Sequence, residues 1–443
     1  VIIDKKLKRP RAFVFLQGPP GPLFARLAEA MRARGVPVHR INLSAGDQFD
    51  WPGPAVNFRG RRSNWAVFFD RFLREHQITD LLLFGDCRPY HVAARRLAAM
   101  RGVRTHVLEE GYLRPHWMTL ELEGVNAHSP LSRDPARVFE QARKLPPEQA
   151  EEPPITASLR RRVRDTARYY TAVQVGSLLF PFYENHRQHT PLFEGLGWSW
   201  RYFTRRRRDR ELARGLAALA GKRFFLHALQ LSGDYQIRAH SPFTDMPSAT
   251  SYVLESFAAH AAPDMHLLIK AHPLDGSFFN WRGFLKRRAR ELAISHRVHF
   301  IDGGDIEELA AAAEGMVVVN STSATLALEA GRPVCVLGDA IYDIPGLTFG
   351  GHLDAFWRDP PPPVAGLYEA FRKVLVNDCL VRGGLASKSA VTTLVENMAS
   401  RLCAPQPMSE RVEERFDDPE VFGPGRHPII AQPDELRVPL RTG

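Results

Sequence analysis

An α/β fold with two Rossmann-like halves is what this sequence predicts, and three observations carry the prediction. Short apolar, β-branched runs alternate with amphipathic stretches over residues 10–135 and again over 216–395. The runs end in glycine or in clusters of polar residues, as strands of a parallel sheet do. Between the two regions lies a segment of different character, Pro-rich at first and then dense in arginine and aromatic side chains.

In the first region "RAFVFLQ" reads as a buried strand, "GPPGP" as a tight loop and "LFARLAEAMRARG" as an amphipathic helix stopped by Gly35. "VPVHRINL" (strand), "NWAVFFDRFLREHQ" (helix), "TDLLLFG" (strand), "RPYHVAARRLAAMRG" (helix) and "VRTHVLEEG" (strand) follow. Such alternation indicates a parallel, doubly wound sheet, whose ligands gather beyond the carboxyl ends of the strands. Three polar clusters fall there: the Gly-Pro loop, Gly85–Asp86 and Glu109–Glu110–Gly111. The polar stretch "LSRDPARVFEQARKLPPEQAEEPP" is expected to be a linker, and the aromatic, basic stretch after it two or three inserted helices.

The second region begins with the strand "RFFLHALQ" and the helix "SATSYVLESFAAHA", then "MHLLIKAHP" and "NWRGFLKRRARELA". It continues through "RVHFID", "DIEELAAAAEG", "MVVVNSTSA", "TLALEAGR" and "PVCVLG". Two such units facing a cleft suggest a GT-B-like arrangement. The expected divisions are 10–135, an insert with its linker at 136–215, a second unit at 216–395 and an extended tail at 396–443.

The net charge of +10 favours an anionic partner: nucleic acid, a phospholipid surface or an acidic substrate. Cys87, Cys335, Cys379 and Cys403 lie far apart with no CxxC, which argues against a disulfide framework or a zinc cluster and fits a reducing cytoplasm. Residues 1–22 hold only short apolar runs, so neither a signal peptide nor an anchor is expected. No window approaches the roughly 18–20 apolar residues that span a bilayer.

Four clusters can carry chemistry. In "IKAHP", His272 ends a strand and Pro273 ends its ladder; such a histidine can donate to a phosphate or be incidental. In "VVVNSTSATLALEAGRPV" a strand runs into Asn320, Ser321, Thr322 and Ser323, which either cap a helix or offer hydroxyls and amides to an anion. With His272 on a neighbouring strand, the joint reading is a phosphate clamp. In "LHALQLSGDYQIRAHSPF", Gln230, Ser232, Asp234, Gln236, Arg238 and His240 crowd one loop, where Asp234 is either a turn former or a nucleophile opposite the clamp. Glu109 and Glu110 are either a capped surface strand end or a general base whose pKa its neighbour raises; on a strand they point to opposite faces.

"EEGYLRP", "KAHP" and "NSTSA" resemble the acidic, HP and serine motifs of bacterial sialyltransferase-type enzymes that use CMP-sugars. The ordered set "FGDCRPYH", "LEEGYLRPHWMTLE", "YENHR", "LQLSGDYQIRAHSPF", "KAHP" and "NSTSATLALEAGRPV", after the Gly-Pro loop, is similar to capsule polysaccharide proteins of the KpsS and LipB type over roughly residues 10–390. That resemblance implies a retaining β-Kdo glycosyltransferase using CMP-Kdo, with an acceptor domain first and a CMP-sugar-binding domain second. It implies a (lyso)phosphatidylglycerol-type acceptor and a start to the poly-Kdo linker beneath a Gram-negative capsule. Asp234 matches the nucleophile; His272, Pro273 and Asn320–Ser323 match positions that hold the CMP phosphate; Glu109 and Glu110 match the acidic motif, with Glu-Glu where relatives often have Glu-Asp. Gln230, Asp86, Arg114, Arg238 and His240 are substrate-binding candidates, the last three for the Kdo carboxylate by charge. No cofactor beyond the donor and no metal is expected, because the leaving phosphodiester already bears a charge. A related CMP-nonulosonate donor such as a sialic acid, and a non-catalytic export component, stay open.

Tyr169, Tyr170, Phe180, Phe182, Tyr183, Trp198, Trp200, Tyr202 and Phe203 lie among Arg160–Arg164 and Arg205–Arg208. Such interleaving suits anionic lipid headgroups or, equally, a helical subdomain with a solvated basic face. No nucleic-acid motif is present, so no such partner is expected. A cytoplasmic location, peripheral at the inner membrane and near other capsule assembly proteins, follows from the resemblance.

Overall fold

Side-chain alternation along the strands of the first region sorts its core into two layers. In the computed structural model, which describes residues 10–113, 116–147, 158–185, 203–231, 237–238, 240–273, 275 and 279–404, β1 (Phe13–Phe15), β2 (Val38–Asn42), β3 (Val56–Asn57), β4 (Asp80–Phe84) and β5 (Arg104–Glu110) run parallel. Leu81, Leu83 and Val107 face α3 (Trp65–Glu75) and α4 (Pro89–Met100), while Leu82 and Leu108 face α1 (Leu23–Ala33). The short α2 (Ala45–Asp50) starts in a reciprocal capping box between Ser44 and Asp47.

The second region forms five parallel strands in the order β11–β10–β7–β8–β9. They are β7 (Phe224–Ala228), β8 (His266–Lys270), β9 (Val298–Ile301), β10 (Gly315–Val318) and β11 (Val334–Val336). Between them, in chain order after α5 (Pro135–Lys144), α6 (Leu159–Val175) and α7 (Arg205–Leu219), come α8 (Met246–His260), α9 (Trp281–Glu291), α10 (Ile306–Ala312) and α11 (Ala324–Glu329). The expected α/β class with two Rossmann-like halves is the observed one. The described residues belong to one compact unit, 1–407.

Three features differ from the sequence reading. β6 (Trp117–Leu122) was not expected; it returns antiparallel on β5, opposing Glu109 with Thr119 and Glu110 with Met118. Its inward Met118 and Leu120 carry the alternation of a half-buried strand. The expected linker contains α5, started by Asp134, whose carboxylate accepts from the Ala136 amide, with Pro135 at the first helical position.

The largest difference is at the end of the chain. After α12 (Leu353–Phe356), α13 (Leu367–Val374) and one π-turn, β12 (Leu380–Arg382) pairs antiparallel with β6 as the edge of the first sheet, not the second. α14 (Lys388–Cys403) then packs Leu394 and Met398 against Leu27 and Met31 of α1. Residues 380–403 therefore complete the first half, which the expected boundaries at 395 and 396 assigned to the second half and the tail. A hydrophobic face alone does not say which sheet it covers. The halves also share a core, since Tyr112 and Val138 pack in one cluster with Leu367, Phe371 and Leu375.

Leu394 is fully buried at this return. Leu394→Ala is expected to destabilise the protein by about 2–5 kcal/mol through cavity creation, read as a lowered urea midpoint. A midpoint unchanged from wild type would show that α14 is not integral to the first half.

Candidate functional site

The carboxyl edge of the first sheet gathers a continuous polar network. Gly85 ends β4 with φ +74°, and a Cβ there would lie 3.2 Å from the Glu109 carboxylate and 3.5 Å from the Arg88 guanidinium. Glycine thus lets Glu109 lie directly over the turn. The Gly85 amide donates to the Leu108 carbonyl at 2.9 Å, and buried His91 Nδ1 donates to the Gly85 carbonyl at 2.6 Å. Arg88 donates to Gln17 at 2.9 Å, and Gln17 donates to the hydroxyls of Tyr169 (2.7 Å) and Tyr183 (3.0 Å).

Gly111 explains why the acidic pair ends in glycine. A Cβ there would come within 2.1 Å of the Trp117 carbonyl, so any side chain would break the β5–β6 hairpin. Glu109 follows Val107 on the α3–α4 face, whereas Glu110 follows Leu108 on the α1–α14 face. The two carboxylates accordingly part. Glu109 is pushed up to about 7, mainly by burial, with smaller upward contributions from Glu110 and Asp86 that Arg88 and the Glu110 amide oppose. Burial, not the adjacent carboxylate, is the larger cause. Glu110 instead pairs with Arg162 of α6 at the partly exposed rim.

Asp86 is not free to meet a substrate. Fully buried, it accepts from His128 Nδ1 at 2.9 Å, from Arg95 at 3.2 Å and from the Cys87 thiol at 3.2 Å. Burial alone would raise its pKa, but the His128 hydrogen bond and the Arg95 charge hold it at about 2. It anchors the turn after β4. His240 is likewise corrected: it is 6% exposed and pushed down to about 4 by burial and by His128, so it is neutral near pH 7 and offers no cation to a sugar carboxylate.

In the second half, Gln230 and Asn320 hold each other. Gln230 Nε2 donates to Asn320 Oδ1 at 2.8 Å and its Oε1 accepts from the Asn320 amide at 3.0 Å. Gln230 is 5% exposed and positions the serine turn rather than facing solvent. The Ser321 and Ser323 hydroxyls lie 2.8 Å apart, and the Ser321 hydroxyl accepts from the Ser323 amide. Ser323 precedes α11 in helical geometry without a capping side-chain bond, so the capping alternative does not describe it. Ser321, Thr322 and Ser323 remain partly exposed, as does His272, with Pro273 exposed beside it. His272 follows β8 and the serine turn follows β10; these strands are not neighbours but flank β7. Both lie at the same carboxyl edge, roughly two strand spacings apart, about 10 Å. Arg238 is exposed. Asp234, Arg114, Ser232, Gln236, Trp198, Trp200 and Tyr202 lie outside the described residues.

Sequence reasoning missed Gln17, Arg88 and Asp50, and placed Arg162 in a basic run without its Glu110 partner. Asp50 is pushed up to about 6, mainly by burial, while accepting from the Gly21 amide at 2.7 Å in the Gly-Pro loop. Only the place of Gln17 and Arg88 just beyond strand ends could have signalled them; Asp50 ends α2 and Arg162 lies on α6. Of the insert aromatics, Tyr169, Tyr170 and Phe180 are buried, and Tyr169 is bonded to Asp47 and Ser44. Phe182 and Phe203 are exposed, as are Val175, Leu178 and Phe49. An open groove of about 770 Å³ runs between α2 and α6, lined by Phe49, Arg164, Arg168, Val175 and Leu179 among others.

A family model described as "Capsule polysaccharide biosynthesis protein" matches residues 79–385. The chain is 34% identical over 394 residues to the capsule polysaccharide modification protein LipB of Neisseria meningitidis serogroup B, covering 87% of this chain and 94% of that protein. It is 32% identical over 378 residues to the capsule polysaccharide export protein KpsS of Escherichia coli, covering 83% and 94%. Among solved structures, the KpsC β-Kdo 2,7 transferase of Thermosulfurimonas dismutans aligns over 87% of this chain and 99% of that chain, at 16% identity and a TM-score of 0.43.

Glu109 holds its proton in the folded chain up to about pH 7, whereas the unfolded chain releases it near the ordinary 4.5. Its contribution to stability is therefore lost as pH rises between those values. Glu109→Gln is expected to stabilise the protein relative to wild type by on the order of 1–3 kcal/mol at pH 8 and little at pH 4.5, read as melting temperatures. A variant less stable at pH 8 would show that the ionised carboxylate is the favoured native form.

Proposed function

The chain belongs to the capsule polysaccharide biosynthesis protein family, and from that premise we propose that it is a retaining β-Kdo glycosyltransferase. It moves Kdo from CMP-Kdo to a (lyso)phosphatidylglycerol-type acceptor and so initiates a poly-Kdo linker. The observation that carries the transferase reading is Glu109, a carboxylate pushed up to about 7 at the sheet edge where acceptors would bind. A general base poised near neutrality is what removal of a hydroxyl proton requires.

In the first displacement Asp234, assigned by its motif alone, attacks the anomeric carbon. The bond to the phosphate oxygen breaks and CMP leaves with the electron pair. The Ser321 and Ser323 hydroxyls and His272, at the carboxyl edge on either side of β7, are the groups to receive the phosphate charge. In the second displacement the acceptor oxygen attacks the same carbon, its proton passes to Glu109 and the Asp234 carboxylate is released. Gln230 holds Asn320 so that the serine turn keeps its shape. Arg238 and Arg114 are retained for the Kdo carboxylate by charge.

The groove between α2 and α6 supports an anionic lipid as acceptor. Val175 (80% exposed) and Leu178 (90%) stand at the end of α6, and Arg164 and Arg168 line the same groove. An acyl chain suits the apolar wall and a phosphate the arginines. No helix among the described residues is long and apolar enough to cross a membrane. The reading makes the protein peripheral at the inner membrane, alongside other capsule assembly proteins and without nucleic acid.

Incubation with CMP-Kdo and short-chain phosphatidylglycerol tests the reading by mass spectrometry of the product. CMP release with a Kdo-lipid is expected, falling as pH drops through about 7 and lost in Asp234→Ala with CMP binding kept. Tight lipid binding without turnover would instead support an export role, in keeping with the name of one relative. Val175→Asp with Leu178→Asp is expected to weaken sedimentation with anionic vesicles at least about tenfold, from lost apolar contact. Unchanged sedimentation would remove this face from the membrane contact.

A further inference from the structure

One cluster at the meeting of the two halves, with His240 buried and Cys87 and His128 partly buried, has no part in the transferase chemistry. Cys87 lies in the turn between β4 and α4, His128 in the single helical turn Asn126–His128 after β6, and His240 in the loop between β7 and α8. The first two belong to the first half and the third to the second, 153 residues from Cys87. Cys87 Sγ lies 3.4 Å from His240 Nε2, and the His128 and His240 rings meet edge to face at 4.8 Å. One donor atom from each residue lies within 4.8 Å of the other two.

We propose that Cys87, His128 and His240 form a site for a zinc-class divalent cation that clasps the two halves together beside the catalytic cleft. The donor set is one sulfur and two imidazole nitrogens, which suits tetrahedral zinc with a fourth position open. Metal–sulfur and metal–nitrogen bonds of about 2.3 and 2.05 Å place the donors of a tetrahedral ion roughly 3.4–3.6 Å apart. The Cys87–His240 pair already has that spacing, and a shift of about one ångström closes the widest remaining separation.

An independent observation comes from Asp86. Its carboxylate accepts from His128 Nδ1 at 2.9 Å, which fixes the tautomer and leaves Nε2 for an ion. A carboxylate behind a ligating histidine is the usual outer shell of such sites. Arg95, 3.2 Å from Asp86, balances its charge, so Asp86 stays an orienting group rather than a ligand. His240 gives a third argument. Among the described residues its ring has only the Cys87 thiol as a hydrogen-bond partner, and a thiol at that range satisfies a buried imidazole poorly. A cation would satisfy both. The His240 carbonyl accepts from the Asp339 amide at 2.7 Å. The ion would thus hold the His240 end of the β7–α8 loop in register with the turn beneath Glu109. Its role is positioning, and it does not depend on which sugar is transferred.

Cobalt titration of the full chain, stripped with a chelator, tests this. Wild type is expected to bind one Co2+ per chain with a near-ultraviolet sulfur-to-cobalt absorption band. Cys87→Ser should abolish the band, Cys403→Ser should keep it, and His240→Ala should weaken cobalt binding at least about tenfold. Metal-free melting temperatures show which variants are folded; Zn2+ should raise that of wild type but not that of folded Cys87→Ser. No band in folded wild type at saturating cobalt, or a band that survives Cys87→Ser, overturns the assignment. Should Cys87→Ser fail to fold, His240→Ala decides: cobalt affinity equal to wild type overturns it.

Discussion

A carboxylate withdrawn from water at the end of β5 is the constraint on which the rest of the site depends. Glu109 lies over Gly85 because that residue has no side chain, and Arg88 beside it limits how far its pKa rises. Arg88 is held by Gln17, and Gln17 by two tyrosines of the inserted segment. The polarity of one carboxylate on β5 is therefore set by residues after β1, between β4 and α4, and on α6 together. Buried polar networks of this kind hold one geometry because each member would be costly to leave unpaired.

The second half answers with a different device. Gln230 and Asn320 exchange hydrogen bonds across the ends of β7 and β10, leaving the hydroxyls of the next three residues partly exposed. The same edge carries His272 past β8. A hydrogen-bonded polar frame with partly exposed hydroxyl-bearing residues on its rim suits an anion whose charge grows as a bond breaks. Where the halves meet, they do so through a hydrophobic junction around Tyr112 and Val138 and through the cluster of Cys87, His128 and His240.

The inserted segment plays two parts at once. Tyr169 and Tyr170 are core residues of the first half, while Val175 at the end of α6 and Leu178 just beyond it are largely exposed. Apolar side chains left in water beside arginines are an unfavourable surface for a free protein and a favourable one at a headgroup layer. Anchoring through Tyr169 to Asp47 and Ser44 ties that surface to the same network that holds Gln17.

Local pattern was enough to read the alternating strands and helices, the two halves and the polar strand ends, because periodicity of 2 or 3.6 records which face of an element meets the core. That the polar runs around Glu109, His272 and Asn320 follow strands was legible for the same reason, since each comes directly after an apolar run. Tertiary contact alone decided that residues 380–403 complete the first sheet, since β12 could pair with any free edge. It alone decided which of Glu109 and Glu110 holds its proton toward neutrality, made His240 neutral and turned Asp86 into an anchor, because each depends on how much water neighbours remote in sequence exclude. Cysteine spacing argued against a metal, yet folding brings Cys87 to within 3.4 Å of a histidine 153 residues away. Distance along a chain says nothing about distance across a fold, and charge in a protein is governed by the second.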